Sequence, residues 1–206
     1  IVADVGNVTL TGTASSGNRA IVMYGNVLSG GNEINISTTN NNRIWLSGTV
    51  GQLAGSNVAS TNANITISGS QLFDGNSPTI NTRAGNVTLR ANTWSFSGAT
   101  TIGTNGTIAI LPMADSAGFG SDVYTSWFNL TPTISNVAYA PTGLTIGNAN
   151  NTYAVYWNSS NSVNGPVSLY GGSIAVSANL TTSNTTTGNV GIFGNLSGAG
   201  NIAVAT

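Results

Sequence analysis

The chain has 206 residues, 40% of them hydrophobic and 4% charged, with no Cys, no His and a formal net charge of -1. That length buries a sizeable core, but four Arg and no Lys cannot neutralise a row of phosphates or hold an acidic lipid surface, so nucleic-acid and electrostatic membrane binding are excluded. Disulfides, thiolate chemistry and the commonest general base are absent with Cys and His, and no apolar run approaches the roughly 20 residues of a membrane helix, which argues against membrane insertion.

From the N-terminus the strand-like runs are Val8 to Leu10, Ala20 to Tyr24, Ile34 to Ser37, Arg43 to Leu46, Ile65 to Ser68, Thr79 to Asn81 and Val87 to Arg90. Trp94 to Phe96, Thr107 to Leu111, Leu144 to Ile146, Tyr153 to Trp157, Val167 to Tyr170, Ile174 to Leu180, Val190 to Phe193 and Ile202 to Ala205 follow. Most alternate apolar with small or polar residues, the pattern of a strand with one face buried and one wet. Asn161 to Pro166 and Gly171 to Gly172 read as corners, because Gly and Asn reach positive φ and Pro fixes its own. No apolar stripe of helical period survives three turns, and only a short helical turn within Asp115 to Trp127 is expected.

Spacing sets the architecture. Strand centres recur at about 20 to 23 residues, from Trp45 to Thr66, Thr66 to Thr88, Thr88 to Ile108, Thr145 to Ser168, Val155 to Ala175 and Ser168 to Gly191. Several very short strands per period predict an all-β fold, a parallel β-helix (β-solenoid), with residues 1–206 as one segment of a longer repeat protein. Roughly nine coils rising about 4.8 Å each make a rod about 40 Å long. About thirty asparagines are present, many directly before a strand, as in GNVTL at Gly6 and Gly85 and ANITI at Ala63. Stacked at a repeated corner they satisfy their amides along a ladder; scattered, they fill turns.

Residues 112–141 interrupt the rhythm. This insertion gathers Phe119, Tyr124, Trp127, Phe128 and Tyr139 with Asp115 and Asp122. It reads either as a lid whose aromatics form a small core or as a loop carrying the contact surface, with Phe119, Tyr124, Trp127 and Phe128 as candidate ligand contacts. Trp45, Trp94, Trp127 and Trp157 read as sugar-stacking platforms on a flat face, and core packing explains Trp94 and Trp157 at least as well. The acids Asp4, Glu33, Asp74, Asp115 and Asp122 are too scattered for paired-carboxylate or calcium chemistry, so no catalytic residue, cofactor or metal is expected. Arg19, Arg43, Arg83 and Arg90 read as solvated or weakly paired with Glu33 or Asp74. Eleven N-x-S/T sequons begin at Asn7, Asn35, Asn64, Asn86, Asn105, Asn129, Asn150, Asn158, Asn179, Asn184 and Asn195, most of them expected by chance in such a composition.

Val87 to Pro112, then TGLTIGNANNT (Thr142 to Thr152) and GPVSLYGGSIAVSANLTT (Gly165 to Thr182), resemble the long repeat of filamentous-haemagglutinin-like surface proteins, the large repetitive adhesins of Bacteroidetes. The most specific element is TGLTIG followed about twenty residues later by GPVSLYGGSIAV. The resemblance implies a secreted β-solenoid at the bacterial cell surface, used for adhesion or as an extracellular fibre, with no catalytic residues to carry over. The partners it implies are further copies of the same repeat, in cis or as a homopolymer. A glycan-binding module built on the 112–141 insertion is the alternative, with surface glycans as partners, and a degenerate polysaccharide-active β-helix enzyme stands behind it.

Overall fold

Alternation alone builds the first wall. The computed structural model describes residues 1–3, 6–14, 19–23, 27–29, 32–39, 42–46, 49–52, 64–74, 78–96, 98–134 and 136–205. Val8–Gly12, Ile34–Thr38, Ile65–Ser68, Val87–Arg90, Thr107–Leu111, Gly143–Ile146, the first half of Val167–Val176 and the first half of Val190–Ser197 stack in parallel. Two aliphatic columns run down their inner side in register. One is Val8, Ile34, Ile65, Val87, Ile108, Leu144, Val167 and Val190. The other, two residues on, runs from Leu10 through Ile36, Ile67, Leu89, Ile110, Ile146 and Leu169 to Ile192. No single turn covers these side chains, so the inner rungs are buried by the turns above and below, while Leu10, Val190 and Ile192 at the ends are only partly covered.

The steps along the first column are 26, 31, 22, 21, 36, 23 and 23 residues. The chain is therefore a β-solenoid of about seven turns rather than nine: four turns keep the expected length and three are longer. Thr66 to Thr88, Thr145 to Ser168 and Ser168 to Gly191 are true ladder partners. Thr88 to Ile108 and Val155 to Ala175 hold to within one residue, since Thr88 pairs with Ala109 and Tyr156 with Ala175. Trp45 to Thr66 does not hold: Trp45 pairs with Phe73 and Thr66 with Asn35, on different walls.

The second wall stacks Arg19–Met23, Arg43–Leu46, Gln71–Asp74 and Thr93–Phe96. A separate ladder then carries it through Val123–Tyr124, Val155–Trp157 and the second halves of Val167–Val176 and Val190–Ser197. The third wall runs Val2–Ala3, Val27–Ser29, Thr49–Gln52, Thr79–Asn81, Thr100–Gly103 and Phe128–Asn129, and Asn161–Val163, Leu180–Thr182 and Ile202–Ala203 form its later ladder. Asn161 to Val163 is thus strand, and the corner there shrinks to Asn164–Pro166. Ile174 to Leu180 is not one run: the strand ends at Val176, and Leu180 opens the next wall. At Gly171 and Gly172 the chain turns from the first wall to the second within one continuous strand. A Cβ on Gly172 would meet the Thr152 carbonyl, so only glycine fits that approach. Asp4 and Tyr24 lie outside the described residues, as does the side chain of Asp74.

The corner before the first wall carries an asparagine ladder of a particular kind. Asn7 Oδ1 accepts from the Glu33 backbone N–H (3.3 Å), Asn64 Oδ1 from that of Asn86 (2.9 Å), and Asn86 Oδ1 from both the N–H and the hydroxyl of Thr107 (3.0 and 2.8 Å). Glu33 joins it by accepting from Asn64 Nδ2 (3.4 Å). The amides bond mostly to the next turn's backbone rather than to one another, which satisfies donors left over where a strand begins. Sequon residues Asn105 and Asn158 likewise accept from backbone N–H groups of adjacent turns, those of Ala140 and Ser126.

Candidate contact surface in the 112–141 turn

The 36-residue turn adds its length in two excursions, not one. Between them, Val123–Tyr124 and Phe128–Asn129 are strands of the second and third walls, joined by a single 3-10 turn at Thr125–Trp127. That turn is all the helical structure within Asp115 to Trp127. The first excursion is strapped down by the loop after Ile146. Asn148 Nδ2 donates to the carbonyls of Asp115 (3.1 Å) and Ala117 (2.9 Å), Asn150 Nδ2 to Asp115 (3.1 Å), and the Phe119 N–H donates to Asn151 Oδ1 (3.2 Å). Arg90 completes the strap with a 2.7 Å ion pair to Asp115 and a bond to the Pro112 carbonyl. The second excursion is the hairpin of Thr133–Ile134 and Val137–Ala138, with Asn136 in the left-handed region at its turn.

The four candidate contact residues divide into two kinds. Phe119 and Phe128 are core, 3% and 2% exposed, and both meet the buried Trp94 edge-on, with ring centroids at 6.0 and 5.8 Å. Tyr124 and Trp127 are half-buried and reach the surface. Phe96 links the two kinds, 5.5 Å from Phe128 and 5.9 Å from Trp127. Trp127 meets Tyr124 at 4.9 Å, and Tyr124 lies flat on Tyr156 at 4.5 Å with 6° between the planes. One aromatic string therefore runs from core to surface, and its last ring, Tyr156, is a residue that sequence reasoning left out. Only the ladder pairing of Tyr124 with Tyr156, 32 residues apart, brings it there.

Electrostatics around this string are mild. Partial burial, with the Tyr156 and Asp122 charges adding to it, holds the Tyr124 phenol above its ordinary range, so it is a neutral hydrogen-bond donor at physiological pH. Asp122 Oδ1 accepts from the Ala154 N–H at 2.9 Å, a structural role. Among the described residues no group of three acids gathers to hold a metal ion.

Trp157 is fully buried and donates its indole N–H to the Asn179 carbonyl (3.0 Å), and Arg19 lies 3.7 Å from the centroid of Trp45. Arg90, read from the sequence as solvated or weakly paired, makes its ion pair with Asp115. The turn's geometry is that of a packed plug with an aromatic tail at the surface. Compared with known protein families, curated proteins and solved structures, the chain matches none of them.

Proposed function

We propose that the chain is a structural, non-enzymatic repeat of a filamentous-haemagglutinin-like bacterial surface adhesin or extracellular filament, giving reach, stiffness and polyvalent contact. The observation that carries this reading is the pair of aliphatic columns running unbroken through eight rungs of the first wall. Each rung presents its neighbour with the same ladder, so length grows by repetition without new design. A nearly uncharged surface of Thr, Ser, Asn and Gly supports the same reading, since such a rod meets others through many weak neutral contacts. Its partners are further copies of the same repeat, and its place is outside the cell.

The complete gene tests the repeat. Tandem copies of the TGLTIG to GPVSLYGG unit, with long uniform fibres in negative stain, are the expected result. A single copy in a short monodisperse rod would sink the filament reading.

A further inference from the structure

We propose that the free face of the Tyr156 ring is a saccharide-stacking step, which takes one pyranose of a neutral polysaccharide with equatorial hydroxyls. Tyr124 covers one face of this ring. On the other side the ladder places Ala175 and then Ser197 in the same outward column. The ring stack therefore ends at Tyr156, with a methyl group where a third ring would stand. Successive turns are about 4.8 Å apart, close to the thickness of a sugar ring lying against an aromatic face, so a stacked pyranose sits above Ala175 and reaches Ser197. Ala175 is partly exposed and Ser197 exposed, which leaves that space open.

The neighbours fit the ligand. Ser173 and Asn195, paired in the adjacent outward column, supply a hydroxyl and an amide beside the step. None of the four Arg lies on these strands, and the nearby Asp122 carboxylate is engaged by Ala154, so the shelf favours a neutral ligand over an anionic one. The ring is also held in advance, since Trp127 braces Tyr124 and Tyr124 braces Tyr156, and little rotamer freedom remains to be lost on binding. The second stacked pair, Tyr170 with Phe193 at 4.3 Å, offers no equivalent on Tyr170: the residue against its backbone is the buried Gly147. This site goes beyond the structural role, which stands or falls separately.

The full chain titrated with cellohexaose or chitohexaose, followed by NMR of the tyrosine ring signals, tests it. The Tyr156 signals are expected to shift and saturate with a Kd of about 1 mM, and Tyr156→Ala to weaken binding by roughly tenfold or more. Ala175→Tyr is the decisive variant. It extends the ladder by one ring, keeps the fold and occupies the step, so binding is lost while the melting temperature holds or rises. Parent-like binding by Ala175→Tyr, shifts confined to Tyr170 and Phe193, or no Tyr156 shift with either sugar at about 20 mM would overturn the proposal.

Discussion

The first wall and the other two meet the same long turn and respond differently. Thr107–Leu111 pairs directly with Gly143–Ile146, each residue with the one 36 positions on, and all four residue pairs keep their register. In the same turn the second wall changes ladder between Thr93–Phe96 and Val123–Tyr124, and the third between Phe128–Asn129 and Asn161–Val163. Where the ladders part, aromatic side chains fill the gap: Trp94, Phe119 and Phe128 in the core, Phe96 and Trp127 at its edge. One continuous wall fixes the coil, and the others tolerate extra chain provided something large replaces the missing strand contacts.

The largest expected effect breaks the aromatic side of this comparison. Phe128→Ala removes the ring packed against both Trp94 and Phe96, and a buried Phe of this kind costs about 3–5 kcal/mol on truncation, read as a lowered urea midpoint. Hydrogen exchange locates the damage. Protection is expected to fall first at residues 123–129 and 155–157, while residues 107–111 and 143–146 keep theirs. Equal loss in all four segments would mean that the first wall depends on the plug as much as the others do.

A smaller effect tests the first wall itself. Asn86→Ala deprives the Thr107 N–H and hydroxyl of their acceptor at the corner where the long turn begins, worth about 1 kcal/mol. Asn86→Asp keeps an acceptor oxygen and is expected to stay close to the parent in the same denaturation assay. If the alanine variant were as stable as the aspartate one, the corner asparagines would be turn fillers and no more.

Much of this fold was legible because the first wall writes itself twice in every turn, as an alternating apolar pair and as a near-constant spacing. Val87 to Arg90 and Val167 to Tyr170 are plain in the sequence for that reason. Thr100–Gly103 and Asn161–Val163 were not, since their wall buries Thr, Gly or Asn as readily as aliphatics. Asn161 is 8% exposed and donates to Ser159, a buried polar residue that reads as a corner until its partners are known. Candidate contacts were legible as a composition, an aromatic cluster, but not as a geometry. Nothing local distinguishes Phe128, which points inward, from Trp127 beside it, and nothing short of the register reveals Tyr156.

The smallest expected effect sharpens the comparison where the second wall resumes, at the Tyr124 and Tyr156 rung. Partial burial raises the Tyr124 phenol above the ordinary tyrosine value of about 10, and the nearby Tyr156 and Asp122 charges push the same way. Up to that pH both folded and unfolded chains carry the proton, and the shift contributes nothing to the pH dependence. As pH rises past it, the unfolded chain releases its proton first, so stability declines until the folded phenol ionises as well and then levels off. Tyr156→Phe removes one of the two charges and is expected to bring the Tyr124 titration down toward the ordinary value, followed through its ring signals at alkaline pH. A Tyr124 that titrates at or below that value in the parent would mean that the stacked rung is looser and wetter than its 4.5 Å ring spacing implies, and that the second wall resumes only with Val155–Trp157.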